Sequence, residues 1–164
     1  MEYSKLAELY DQLESIPKRL EKRALISPFL KDCSEEDLKL VIYLIQGRVF
    51  PQSDERKLGM SSKLLVKAIV QTTGESQESI EKEWSREGDL GLVAEKLSKT
   101  KKQQTLTKST LSVKKVIDNV VKLSSLEGKG TVSKKVALVA ELLSAASPLE
   151  SRYIVRTVLE ALRT

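Results

Sequence analysis

Apolar residues return every three or four positions along almost the whole of this 164-residue chain, a period that suits packed helices. Tyr3, Leu6, Leu9, Tyr10 and Leu13 share one face of a first helix. Pro17 is suited to open a second, which carries Leu20, Ala24, Leu25 and Phe29 inward. Ser34, followed by Glu35, Glu36 and Asp37, has the form of an N-cap with acids in the first turn. The run it opens, Leu38 to Ile45, has the composition of a strand, but its cap and its neighbours favour a buried helix. Gly47 to Gly59 is the main break, a loop with local ion pairs around Asp54, Glu55 and Arg56. Ser61 or Ser62 then caps Leu64–Val70, and Thr73-Gly74 ends that helix. Ser76 caps an acidic helix reaching Arg86, and the turn Gly88-Asp89-Leu90-Gly91 leads into a short helix from Leu92 to Leu97.

Residues 99–110 carry almost no apolar side chain and read as an exposed hinge. Three further helices follow. Val113, Val116, Ile117, Val120, Val121 and Leu123 form the core face of the first, and Gly128-Lys129-Gly130 breaks the chain after it. Val136, Leu138, Val139, Leu142 and Leu143 line the next. Pro148 opens the last, with Tyr153, Ile154, Thr157, Val158 and Leu162 at core spacing. The expected fold is all-α in two helical lobes, residues 1–98 and 111–164, joined by the hinge.

Composition narrows the function. A hydrophobic share of 40% is enough for a packed core, while 4% aromatics argues against reading single-stranded nucleic acid by stacking. No apolar run approaches the roughly 20 residues a membrane span needs. The polar start, Met1-Glu2-Tyr3-Ser4-Lys5, has the form of neither a secretory signal nor an anchor, so a cytoplasmic protein is expected. Cys33 is the single cysteine, without a partner for an internal disulfide, and reads as a small buried hydrophobe. Histidine is absent, which removes the commonest general base and metal ligand.

The charge is unevenly placed. Residues 1–98 carry 15 Lys+Arg against 18 Asp+Glu, whereas residues 99–164 carry 13 against 5. A near-neutral body joined to a segment of net +8 suits a polyanion. Within that segment, Gly128-Lys129-Gly130-Thr131-Val132-Ser133-Lys134-Lys135 combines a close-approach backbone, hydroxyls, lysines and a helix start, all suited to a phosphate. The same residues equally describe an ordinary capped turn with solvated lysines. They are not a nucleotide P-loop, since the G-x-x-x-x-G-K-[ST] spacing is absent. Arg152 and Arg156, four apart on one helical face, and Arg163 offer planar forks for phosphate oxygens, or form a solvated basic face. Lys99, Lys101 and Lys102 could steer a nucleic acid or simply solvate the hinge. The acids between Glu75 and Asp89 alternate with Lys82 and Arg86, the mark of a solvent face rather than a metal site.

Several stretches, in order and at consistent spacing, carry a family resemblance. They are Tyr3–Tyr10, Gly47-Arg48-Val49-Phe50-Pro51, Asp54–Gly59, Leu64–Ala68, Gly88–Glu95, Thr131–Lys135 and Leu149–Thr157 with its continuation to Thr164. Together they resemble the N-terminal DNA-binding domain of ATP-dependent DNA ligases, most closely the archaeal form. The resemblance implies an all-helical domain lying over the minor groove of nicked duplex DNA. It implies phosphate contacts from Lys129, Gly130, Thr131, Ser133, Lys134 and Lys135, and from Arg163 and Thr164 in a terminal Leu-Arg-x-Gly loop. Arg156 joins the expected DNA-binding residues. The chain stops before the Gly of that loop, and with no closing tail it reads as a piece of a longer protein. ATP and Mg2+ are implied for the full enzyme. The family's catalytic Lys-x-Asp-Gly motif is absent here, so no nick sealing by this chain alone is expected. A sliding-clamp contact is implied in the hinge at Gln103–Thr107. There the Gln is kept and both aromatics are replaced, which removes the side chains that would anchor a clamp. Two other readings stay open: a helical protein–protein adaptor with a basic partner-binding lobe, and a free-standing enzyme.

Overall fold

The computed structural model describes residues 1–100 and 110–164. Among the described residues it contains nine α-helices and no sheet: α1 (Tyr3–Glu14), α2 (Arg19–Lys31), α3 (Glu35–Ile45), α4 (Ser62–Thr73), α5 (Gln77–Glu87), α6 (Leu90–Ser98), α7 (Val113–Ser125), α8 (Val132–Ala145) and α9 (Pro148–Val158). Most of the hinge, with Gln103–Thr107 and the lysines at 101 and 102, lies outside the described residues.

The helix starts follow local chemistry. Ser34, Ser61, Ser76 and Ser112 each accept a hydrogen bond from the amide three residues on, satisfying a donor that the helix itself cannot use. Ser147 and Glu150 form a reciprocal capping box with Pro148 in the first turn of α9. The run Leu38 to Ile45 is helical, as its cap indicated.

Helix α9 is the axis of the fold. Tyr153, Ile154, Val155, Thr157 and Val158 are all buried, and so are Glu150, Ser151 and Arg156. It packs along α6 and against α1 and α8; α4 lies on α8, and α7 bridges α8 and α3. The approach of α6 to α9 is close enough that a Cβ on Gly91 would stand 2.8 Å from the Arg152 carbonyl oxygen. One continuous core therefore runs from Tyr3 to Leu162, and the segments expected as two lobes share it. The chain start is stapled to the second segment: the Tyr3 amide donates to Leu111 O at 2.8 Å and the Val113 amide to Met1 O at 2.9 Å.

Helix α2 departs from expectation. It begins at Arg19 rather than at Pro17, and none of its residues is fully buried. Leu20, expected inward, is 76% exposed. The cause is position: the main neighbours of α2 are α1 and α3, so it lies at the edge of the core and its apolar stripe is half covered. Cys33 is half-buried rather than enclosed.

The contact at Gly91 yields a test that opposes simple propensity. Ala is favoured over Gly inside a helix by about 1 kcal/mol, yet here the added methyl meets a backbone carbonyl. Gly91→Ala is expected to lower stability by about 1–3 kcal/mol, read as a lower urea midpoint at unchanged slope.

Candidate nucleic-acid interface

The turn before α8 is built for backbone exposure. Gly128 and Gly130 have φ of +93° and +86°, a conformation that side-chain-bearing residues avoid. A Cβ at either would meet nothing within 4 Å, so conformation and not space selects glycine there. Thr131 Oγ1 donates to Gly128 O at 2.8 Å, which closes the turn. It does not cap α8, and no other side chain at the N-cap does so. The first amides of α8 thus face outward beside the exposed Ser133, at the positive end of the helix dipole. Lys129 and Lys134 are exposed, and among the described residues neither has an acidic partner.

Lys135 is differently employed. Its Nζ donates to Gly59 O at 3.1 Å, tying α8 to the loop between α3 and α4. That loop is held from beneath by the buried Val49, Phe50, Leu58 and Met60. Arg56 stacks 4.0 Å above the Phe50 ring and forks onto Asp54 at 2.7–3.1 Å. The Arg56 hydrogen bonds hold the Asp54 carboxyl below its ordinary pKa. A cleft of about 240 Å³ opens between this loop and the end of α9, with Arg48, Arg56 and Lys57 on one side and Thr157 and Glu160 on the other.

The end of α9 reaches the same loop. Ala161 N donates to Arg156 O at 2.8 Å and Glu160 N to Thr157 O at 3.1 Å, the paired bonds of a Schellman turn. Glu160 takes the left-handed position, φ +57°, usually given to glycine. The turn drops the buried Leu162 against Gly47, whose added Cβ would sit 3.5 Å from Leu162 Cβ. Arg163 follows at φ +56° and points into solvent, while Thr164 O accepts from Lys22 Nζ at 2.6 Å. The structure thus brings the Lys129–Lys135 turn and Arg163 to opposite borders of one loop. That join rests on Lys135 with Gly59 and Leu162 with Gly47, pairs far apart in sequence that no local motif announces.

Arg156 is corrected. It is 3% exposed, and its guanidinium is fully engaged inside the protein. Nε and Nη2 donate to Asp89 Oδ2 at 3.0 and 2.6 Å, and Nη1 donates to Glu14 Oε1 at 2.9 Å. Arg152 is drawn in likewise, pairing with Glu95, Asp11 and Glu14. The two arginines do share a face, as their spacing requires, but that face meets the acids of α1 and α6 and not a ligand.

The carboxylates record the same arrangement. Burial pushes the Asp89 carboxyl up, but the hydrogen bonds and charge of Arg156, the Gly91 amide and the charge of Arg163 outweigh it. Its pKa therefore lies below the ordinary value. Glu14 behaves alike: burial raises it, and hydrogen bonds from Tyr153 and Arg156 with the charges of both arginines bring it down.

A family model described as DNA ligase N terminus matches residues 2–164. The chain belongs to that family. A DNA ligase of Methanothermobacter thermautotrophicus is 45% identical over 161 residues, which is 98% of this chain and 29% of the relative. DNA ligases of Methanosphaera stadtmanae and Thermococcus fumicolans are 40% and 41% identical over 164 residues. These alignments cover 98% and 100% of the chain and 29% of each relative. The chain is therefore similar to the N-terminal domain of archaeal DNA ligases and spans less than a third of their length.

The ion pairs of Arg156 yield a test in acid. Carboxylates whose folded pKa is depressed stabilise the fold fully above their ordinary pKa, and that contribution fades as pH falls through the depressed value. Arg156→Met leaves Asp89 and Glu14 short of a buried partner, at a cost of about 3–5 kcal/mol near pH 7. The stability gap between wild type and variant is expected to narrow as the pH is lowered from 7 through the carboxylate range. Urea unfolding at a series of pH values measures it, and a gap independent of pH contradicts the assignment.

Proposed function

We propose that this chain is the DNA-binding module of an ATP-dependent DNA ligase, acting in replication, repair and recombination. It holds nicked duplex DNA by phosphate contacts across the minor groove, with little base readout. One observation carries the reading: the uncapped start of α8, with the unpaired Lys129 and Lys134, is tied through Lys135 to one end of the 46–61 loop, and exposed Arg163 follows Leu162, which packs on its other end. Two separate cationic points on a rigid frame suit two stretches of a phosphate backbone. At the first, Gly130 lets the backbone come close, and the outward amides with Ser133 donate to phosphate oxygens. Lys129 and Lys134 add point charge there. Thr131 keeps the turn closed through Gly128. At the second, Arg163 presents its fork, and Thr164 continues the contact.

The residues present do not fit ATP or Mg2+. No lysine is followed by x-Asp-Gly, and among the described residues no three His, Cys, Asp or Glu side chains gather to hold a cation. Nucleotide and metal belong, in this reading, to the remainder of a full-length ligase, and this chain binds a nick without sealing it. A clamp contact through the hinge would be weak, because both aromatic anchors are replaced.

Salt dependence is the direct test. Each phosphate neutralised adds about 0.9 to the slope of log affinity against log salt. Lys134→Ala with Arg163→Ala should therefore weaken binding alike on every duplex sequence and flatten the slope by about 1.8. Fluorescence anisotropy on nicked and intact duplexes measures both, and an unchanged slope removes these residues from the contact.

A further inference from the structure

Apart from the turn, the loop and the C-terminal segment, the described surface carries a concave feature with a definite chemical character. It is a trough of about 710 Å³ between α2 and α3. Its walls are Ile26 and Leu30 from α2 and Leu38 and Ile42 from α3, each pair one helical turn apart. Ile42 is 37% exposed, and the other three are only partly covered. Two apolar rows flanking an open groove offer a surface that a third helix can pack on.

The charges around the channel define its occupant. The trough is lined by two charged residues, Arg23 and Lys31, and by no acid. Both are exposed, and among the described residues neither has an acidic partner. They are eight residues apart on one helix, hence about 12 Å along its axis. A bilayer presents a broad surface to convex apolar faces, whereas this site is a groove between two helices.

We propose that the α2–α3 trough docks an amphipathic helix from a partner protein. The apolar stripe of that helix lies on Ile26, Leu30, Leu38 and Ile42. Two acidic residues about two turns apart pair with Arg23 and Lys31. Docking buries the apolar stripe that the domain leaves half covered on α2. The trough shares no lining residue with the proposed DNA contacts, and the two are linked through the Lys22 hydrogen bond to Thr164 O.

The probe is a designed, fluorescein-labelled helical peptide of about 16 residues. It carries leucines at three- and four-residue spacing and two glutamates two turns apart. Titration with the intact 164-residue chain should show saturable binding. A peptide with lysines in place of the glutamates should bind at least about tenfold more weakly. Arg23→Glu with Lys31→Glu should invert that preference, and Ile42→Asp should abolish binding while the thermal melt and the DNA salt slope stay unchanged. No saturable binding below about 1 mM, equal binding of the two peptides, or binding that survives Ile42→Asp would each overturn the proposal. So would association with phosphatidylserine vesicles that the acidic peptide fails to displace, which would make the trough a membrane contact.

Discussion

Two arginines on one helix meet four carboxylates on two others, and the placement of the remaining structure follows from that meeting. Arg152 and Arg156 project from α9 onto Asp11 and Glu14 of α1, Glu95 of α6, and Asp89 at the start of α6. Tyr153 adds its hydroxyl, donating to Glu14 at 2.7 Å. Apolar contact would let helices slide with small penalty, whereas a fork aimed at a carboxylate fixes both rotation and height. Asp89 is used twice: one oxygen accepts from the Gly91 amide to cap α6, and the other accepts from Arg156. Capping and inter-helix locking thus depend on a single side chain. Because Gly91 lets the two backbones nearly touch, the fork reaches its target without being stretched.

The position of the interface is a consequence of this locking. With α9 held in height, its terminal turn delivers Leu162 to Gly47 and leaves Arg163 at the rim of the loop. The loop is held on its other border by Lys135, so α8 and α9 approach it from two sides. The charge asymmetry of the sequence takes on a second meaning here. Part of the excess positive charge of residues 99–164 is Arg152 and Arg156, which are neutralised within the protein by acids of residues 1–98.

How much of this was legible in the sequence depended on range. Helix identity is local: serine caps, glycine stops and apolar period were enough to place most helix ends within a residue or two, including the ambiguous run that became α3, but the last helix, expected to carry Leu162, stops at Val158 because Glu160 takes a left-handed turn without a glycine to announce it. The Gly-Lys-Gly turn was legible for the same reason, since a left-handed backbone and an exposed helix start are properties of adjacent residues. The direction faced by Arg152 and Arg156 was not legible, because helical spacing says which residues share a face and nothing of what that face meets. Their partners are 57 to 142 residues away along the chain. Leu20 failed for the opposite reason: its spacing was correct, but α2 sits where too few neighbours exist to cover it. The 46–61 loop was recognised as a loop, while its part in joining two distant cationic points needed the fold.

The central burial of α9 also sets how the domain comes apart. Most of its residues are buried against α6, α1 and α8, so its amides are expected to exchange with solvent hydrogen mainly through global unfolding. Helix α2, with no fully buried residue and Pro28 interrupting its hydrogen-bond ladder, can detach in an opening that leaves the core closed. The fold is thereby graded, with a firm frame around α9 that carries the interface turns and a looser edge that touches them through the Lys22 hydrogen bond to Thr164 O.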